Sequence, residues 1–321
     1  MTDILKAIEL RKDYRLPRGK TLRALDNVSL TVRSGEVLGL VGESGCGKST
    51  LGRCLLRLTD LTSGTILFED QDISRTNERA LRPVRRQMQM VFQDSYAALN
   101  PKRRIGDLLA EPLRVHPDKN GQKRSRQVIE ARLDELMDLV SLPRSALARY
   151  PHEFSGGQRQ RINIARALAL SPRLIVADEP VSALDVSVQA QIVNLFTDLK
   201  EQLGLTYVFI AHDLAVVRQI STRVAVMYLG AIVELGDTDT VMQRPAHPYT
   251  AALISAVPEP VIGASDRRIL LHGDVPSPVS PPSGCRFHTR CPKAEKRCSE
   301  EAPLLRSIDE GHEVSCHFPN L

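Results

Sequence analysis

Gly42-Glu43-Ser44-Gly45-Cys46-Gly47-Lys48-Ser49 follows the apolar run Val37–Val41 without a break. No other segment restricts the fold as strongly. The apolar run reads as a buried strand and the stretch from about Lys48 to Leu58 as a helix, so the glycines must turn the chain between them. Glycines let backbone N–H groups point inward around phosphate oxygens. The following helix directs its positive end at the same anion. Lys48 would then reach the terminal phosphates and the Ser49 hydroxyl would hold Mg²⁺, with Thr50 next along the helix. At ordinary residue frequencies a chance match in a chain of this length is on the order of one per cent. Cys46 lies among the glycines with no base nearby to activate a thiol, so it reads as a tolerated small residue.

The rest of the chain supplies the sheet around that loop. Ala24–Val32 alternates loosely and is joined to Val37–Val41 by a turn at Ser34-Gly35. From about Pro101 to Leu170 the period changes. Ile105–Val115 and Val128–Leu142 carry apolar residues three and four apart, as helices do. Residues from about 100 to 170 therefore read as a helical subdomain inserted into a sheet domain. Leu174–Ala177 and Thr206–Ala211 read as buried strands with a helix, Val188–Leu203, between them. Val224–Met227 and Ala231–Leu235 read as short strands about Gly230. This rhythm predicts an α/β fold with a mostly parallel sheet, an antiparallel β part and helices on the faces. After Pro258 the composition shifts. Pro276, Pro278, Pro281 and Pro282 suit neither helix nor strand and read as an extended connector. We expect one domain over 1–257 and a small extension over 258–321.

Composition narrows the partners. The net charge is only +5, from 43 basic and 38 acidic side chains, and aromatics are 4% with no Trp. Platforms for stacking bases are therefore scarce, and no nucleic-acid partner is expected. The clusters Arg82, Arg85, Arg86; Lys102, Arg103, Arg104; and Lys123, Arg124, Arg126 read as solvated faces, the sharper alternative being proximity to an anionic surface such as lipid headgroups. No stretch reaches the ~18 apolar residues of a membrane span, and Met1–Lys6 lacks the layout of a signal peptide. A cytoplasmic chain without disulfides is expected.

Asp178-Glu179 ends the strand Leu174–Ala177. A carboxylate at that edge of a parallel sheet can orient Mg²⁺, and the next one can accept a proton from attacking water. Ser155-Gly156-Gly157-Gln158 is a glycine-rich helix start and offers further N–H donors.

Together these segments resemble the ATP-binding cassette (ABC) family of ATPases. The order is the family's: the loop at 42–49, Gln93 in Val91-Phe92-Gln93-Asp94, Ser155 to Gln158, Asp178-Glu179, Ser182-Ala183-Leu184-Asp185, and His212. The resemblance covers about residues 5–240. It implies that Gly42, Glu43, Ser44, Gly45, Cys46, Gly47, Lys48, Ser49 and Thr50 cradle ATP and that Asp178 serves Mg²⁺. It implies that Glu179 is the general base and that His212 contacts the γ-phosphate. Gln93 would sense Mg²⁺ and water and link the site to a membrane partner. Ser155, Gly156, Gly157 and Gln158 would close over ATP bound to a second subunit, and Asp185 would couple the two sites. Tyr14 is expected to stack on adenine.

Cys285, Cys291, Cys298 and Cys316 crowd the end of the chain. The spacing is not a paired zinc ribbon. Four thiolates could hold an iron–sulfur cluster or Zn²⁺, with His288 and His317 as further zinc ligands, or be unrelated buried thiols. His247-Pro248-Tyr249-Thr250, Ala256-Val257-Pro258, Pro281-Pro282-Ser283-Gly284-Cys285 and Arg290-Cys291-Pro292 resemble the C-terminal extension of dipeptide and oligopeptide importer ATPases, F-type subunit. Tyr150-Pro151-His152-Glu153 is also typical of that group. This resemblance spans essentially the whole chain. It implies a [4Fe–4S] cluster, a second similar ATPase subunit, two membrane permeases and a periplasmic or extracellular peptide-binding protein, with this chain on the inner face of the membrane.

Importers of nickel chelates, opines or glutathione use similar ATPases and stand as the alternative substrate class. Other readings fit less of the chain. A cassette protein acting on ribosomes usually fuses two cassettes, and a repair-type member inserts long coiled coils; neither pattern occurs here. A metal-binding protein that carries nucleotide only for regulation would not need Glu179, and an exporter half usually carries fused membrane spans.

Overall fold

The computed structural model describes residues 2–118, 121–257, 269–271 and 273–320. Pro258, and with it the expected boundary between 257 and 258, lies outside the described residues. The chain opens with β1 (Asp3–Arg15), β2 (Thr21–Arg33), β3 (Val37–Val41), α1 (Lys48–Leu55), β4 (Ser63–Phe68) and β5 (Gln71–Asp72). It continues with α2 (Glu78–Gln87), β6 (Met88–Val91), α3 (Ile105–Val115), α4 (Arg126–Leu139), α5 (Gly156–Leu168), β7 (Leu174–Asp178), α6 (Val186–Leu203) and β8 (Thr206–Ile210). Last come α7 (Leu214–Ile220), β9 (Arg223–Tyr228), β10 (Ala231–Asp237), α8 (Thr238–Gln243), α9 (Pro248–Ser255), α10 (Lys296–Glu300), β11 (Arg306–Asp309) and β12 (His312–Val314). Two compact units result: Met1–Arg75 with Phe209–Leu321, and Thr76–Val208.

In the first unit β1 and β2 form a long antiparallel pair, from Asp3 opposite Arg33 to Arg15 opposite Thr21. Arg18 and Gly19 make the turn with φ of 62° and 72°. One face buries Leu5, Ala7 and Leu10 with Leu25, Val28, Leu30 and Val32. This half-buried pattern is what an antiparallel sheet with one covered face requires. β4 and β5 extend it in the order β2-β1-β4-β5. The hairpin β1 was not legible beforehand, because Arg11, Lys12, Asp13 and Arg15 break the apolar rhythm of its second half.

The loop-bearing strand lies in another sheet. β3 runs parallel to β9, Leu38 opposite Arg223 through Val41 opposite Val226. Every residue of β3 and β9 is buried. Gly39 permits the close approach of α7: a methyl there would lie 2.4 Å from Val217 Cγ1 and 2.6 Å from Ser221 Oγ. β10 pairs antiparallel with β9, and β12 and β11 continue outward. Helix α1 ends at Leu55, short of the expected Leu58, because Arg57 takes φ 51° and its Nε donates to the Ile73 carbonyl.

A buried carboxylate organises the far edge of this sheet. Glu234 accepts from the backbone N–H of Ala246 (2.7 Å) and of His247 (2.9 Å), and pairs with His312 Nε2 (2.8 Å). His247 in turn caps α9: its Nδ1 accepts from Tyr249 N–H at 3.0 Å. Pro248 takes the first helical position, where its missing N–H costs nothing.

The second unit has its own parallel pair, β6 and β7, with Met88 opposite Leu174 and Val91 opposite Ala177. Helices α3, α4 and α5 fall within the region read as helical, and short tight turns at Arg144–Ala148 and Pro151–Glu153 lie between α4 and α5. Helix α4 starts at Arg126, capped by Ser125 Oγ, which accepts from Val128 N–H. Residues 276–282, back in the first unit, form neither helix nor strand.

His247 makes stability depend on pH. Burial pushes its pKa down to about 4 from 6.5, against the opposing pull of Glu234. The unfolded chain takes the proton first as pH falls, so the contribution is full above about pH 6.5 and is lost toward pH 4. Over that window it amounts to on the order of 3 kcal/mol. We expect His247→Asn, which keeps a capping side chain, to flatten the unfolding free energy between pH 7 and pH 4 relative to the natural chain. An unchanged slope in denaturant titrations would place the dependence elsewhere.

Candidate nucleotide site

The phosphate loop is held from behind by backbone. A methyl on Gly42 would lie 2.2 Å from the Met227 carbonyl, and one on Gly47 2.4 Å from that of Ala24. Gly47 also takes φ 107°, which an L side chain resists, as the residue that caps α1. Gly230 N–H donates to the Cys46 carbonyl at 2.8 Å. Lys48 is buried, and its ammonium donates to the carbonyls of Gly42 (2.8 Å) and Glu43 (3.1 Å) inside the loop. Cys46 Sγ lies 3.8 Å from Lys48 Nζ. Burial pushes the Cys46 thiol up more strongly than Lys48 pulls it down, so it stays a neutral thiol. Ser44 and Gly45 are exposed, and Ser49 and Thr50 are half-buried in the first turn of α1.

Two further expected residues belong to this unit. His212 is exposed just beyond β8, next to Asp213, whose Oδ1 caps α7 by accepting from Ala215 N–H at 2.8 Å. Tyr14 lies in β1, with the ammonium of Lys12 4.8 Å from its ring centroid. That cation occupies one ring face, worth about 0.5–1 kcal/mol at an exposed site.

In the second unit, Asp178 ends β7 and is buried. Glu179 follows it with φ 45°, a left-handed conformation that costs an L residue on the order of 1 kcal/mol. Its carboxylate meets Gln93, whose Nε2 donates to Glu179 Oε2 at 2.9 Å. Ser182 Oγ donates to the Glu179 carbonyl at 3.1 Å. The structure thus brings together two residues that are 86 positions apart.

Ser155 and Gln158 form a capping box at the start of α5. Ser155 Oγ accepts from Gln158 N–H (3.3 Å), and Gln158 Oε1 accepts from Ser155 N–H (3.1 Å). The two glycines between them are there for packing: a methyl on Gly157 would lie 2.5 Å from Val188 Cγ1, and one on Gly156 3.2 Å from Leu184 Cδ2. Asp185 caps α6, accepting from Ser187 Oγ (2.7 Å) and Val188 N–H (3.0 Å). The Ser187 hydroxyl, then the Val188 amide, hold its carboxyl below the usual range.

Residues 25–182 match the family model described as "ABC transporter", and residues 233–298 match "Oligopeptide/dipeptide transporter, C-terminal region". Oligopeptide transport ATP-binding protein AppF of Bacillus subtilis is 49% identical over 99% of this chain and 96% of its own length. The chain belongs to the ABC transporter family of ATP-binding proteins. Its fold agrees with solved cassettes. A dimeric cassette, MJ0796, in a post-hydrolysis state with ADP and Pi has TM-score 0.66 and 29% identity, covering 73% of this chain and 98% of that one. The cbiO1 cassette of Clostridium perfringens has TM-score 0.65 and 26% identity, covering 76% of this chain and 92% of that one.

Three of the clustered cysteines, Cys285, Cys291 and Cys298, lie within the matched region 233–298, and Cys316 lies beyond it. Cys285, Cys291, Cys298 and Cys316 line one small pocket with Phe287, His288, His317 and Phe318. All are free thiols. Burial pushes Cys285 up to about 11 and also raises Cys291 and Cys316. Among the described residues, no three His, Cys, Asp or Glu side chains gather as a ligand set for one ion. The donors are the right kind, but they are not arranged for coordination. His288 Nδ1 is bonded at the Cys285 carbonyl and His317 Nε2 at that of Glu301.

The cassette's loop also rests on residues that sequence reasoning did not place at the site. Tyr249 Oη accepts from Glu43 N–H at 2.9 Å, and Arg290 pairs with the Glu43 carboxylate. His247-Pro248-Tyr249-Thr250 was legible as a motif, but its aim at the loop was not.

The packing of the Ser155–Gln158 segment is testable. Gly157→Ala should destabilise the cassette by about 1–3 kcal/mol through overlap with the stiff Val188 side chain. Adding Val188→Ala should recover part of that loss in thermal unfolding. No recovery would mean that the glycine serves another constraint.

Proposed function

We infer that this chain binds and hydrolyses ATP to drive import of di- and oligopeptides through a membrane ABC transporter. The observation that carries this is a complete phosphate loop in one chain with the oligopeptide/dipeptide C-terminal region. The full-length similarity to an oligopeptide transport ATP-binding protein supports it.

The residues support a definite division of labour. Lys48 leaves the carbonyls of Gly42 and Glu43 for the β- and γ-phosphates, and the loop amides bind the remaining oxygens. His212 contacts the γ-phosphate. Ser49, Gln93 and Asp178 would hold Mg²⁺; their hydroxyl, amide and carboxylate oxygens suit a hard cation. Mg²⁺ supplies neutralisation of charge building on the phosphates. Glu179 takes a proton from the attacking water; Gln93 senses that water, and its 2.9 Å bond to Glu179 holds the receiving carboxylate. Ser155, Gly156, Gly157 and Gln158 present the start of α5 to ATP held mainly by a second subunit, and Asp185 couples the two sites. Tyr14 stacks on adenine once Lys12 yields the ring face.

We assign 1–257 to the cassette and 258–321 to the importer-type extension. The partners are a second, non-identical ATPase, two permeases and a periplasmic or extracellular binding protein, with no nucleic acid. Membrane association would run through the permeases, at the inner face. Among the described residues no helix is long and apolar enough to cross a membrane. The cysteine pocket would take a [4Fe–4S] cluster, or Zn²⁺, only after its thiols deprotonate and close in. Because they do not stand as ligands, no catalytic step is assigned there.

Glu179→Gln should lower phosphate release by the reconstituted complex at least about a hundredfold while ATP binding persists. Hydrolysis at the natural rate would remove Glu179 as the base. Anaerobically purified protein should carry iron at roughly four atoms per chain. Stoichiometric zinc instead would assign the alternative metal, and metal-free protein with four titratable thiols would remove both.

A further inference from the structure

Glu43 is an unexpected side chain for a loop built to receive phosphate. Every other contribution such a loop makes to an anion is a donor or a positive charge. Arg290, 247 residues away in the C-terminal extension, answers it. Its Nη1 and Nη2 donate to Glu43 Oε2 (2.8 Å) and Oε1 (3.1 Å) in a two-pronged pair. The arginine side chain is 8% exposed and the glutamate 27%. Hydrogen bonding to Glu43 holds the guanidinium above its ordinary range against the opposing effect of burial.

The surroundings fix Arg290 in place. Its guanidinium carbon lies 5.9 Å from the Tyr228 ring centroid, and its Nη1 reaches Tyr228 Oη at 3.4 Å. Phe287 is buried edge-on against Tyr228 at 5.3 Å and tilted against Tyr249 at 5.4 Å. Tyr249 Oη accepts the Glu43 backbone N–H. One loop residue is thus gripped at both its amide and its carboxylate by the extension.

We propose that Arg290 is a positioning residue for ATP: by pairing with Glu43 it removes a negative charge from the phosphate loop and fixes that loop's shape. This rests on the loop being the ATP site. An unpaired carboxylate beside a polyphosphate repels it strongly in a partly buried setting, where the effective dielectric constant is near 20. Arg290 ends the short turn His288–Arg290, between Cys285 and Cys291.

The test is a charge-cancellation cycle on the full-length chain. Arg290→Gln should weaken ATP binding by about tenfold, and added salt should reduce the defect. Arg290→Gln with Glu43→Gln removes both charges and should recover most of the lost affinity. In the reconstituted complex the single variant should raise KM for ATP with little change in kcat. A double variant as weak as the single, or weaker, would make Arg290 a merely structural prop and overturn the proposal. Equal ATP affinity in Arg290→Gln and the natural chain would also overturn it. If the natural chain itself fails to bind ATP, the site assignment fails and takes this inference with it.

Discussion

The backbone of the phosphate loop has no slack on the side away from its ligand. Methyl groups at Gly42 and Gly47 would strike the carbonyls of Met227 and Ala24 at 2.2 and 2.4 Å. A loop whose amides must remain available for an anion can spare few of them to hold itself. Glu43 N–H goes to Tyr249 Oη and Cys46 N–H to the Glu43 carbonyl; packing and the loop's carbonyls supply the rest. Here Cys46 and Gly230 share a backbone bond, and Lys48 gathers two loop carbonyls. The register of β3 against β9 brings Val41 opposite Val226, one residue before each partner of the Gly42–Met227 contact. The parallel sheet is therefore the gauge that sets the loop.

The second unit uses a different device. Its glycine-rich helix start caps itself, with Ser155 and Gln158 satisfying each other's amides. Gly157 lets α6 approach, as Gly39 lets α7 approach β3 in the first unit. Ser141, Ser171 and Glu179 take a positive φ in this unit, and of these Glu179 is the residue whose carboxylate meets Gln93. Non-glycine residues keep a positive φ when the neighbours over-determine them, and such places cluster at reactive positions.

Much of this was legible in the sequence because the signals are local. A five-residue apolar run before a glycine loop fixes strand, turn and helix together. Ser155 stands at the helix start that its glycines announced, whereas α4 and α6 begin at Arg126 and Val186, two residues before the expected Val128 and Val188, because Ser125 and Asp185 cap them. Non-local features were not legible. β1 is masked by charges on its outer face, and β6 is only four residues long. The Arg290–Glu43 pair joins residues with no shared pattern, and Tyr249 looks like any core aromatic until its hydroxyl meets the loop. The cysteine spacing showed that four thiols are close in sequence; it did not show that they border one pocket without forming a ligand set.

The central claim is that ATP bound at this loop drives peptide import. Uptake of a labelled dipeptide by vesicles carrying this chain, its partner ATPase, the permeases and the binding protein tests it most directly. We predict ATP-dependent uptake that is lost when Lys48→Ala is introduced in this chain alone. Undiminished uptake with that variant would contradict the account.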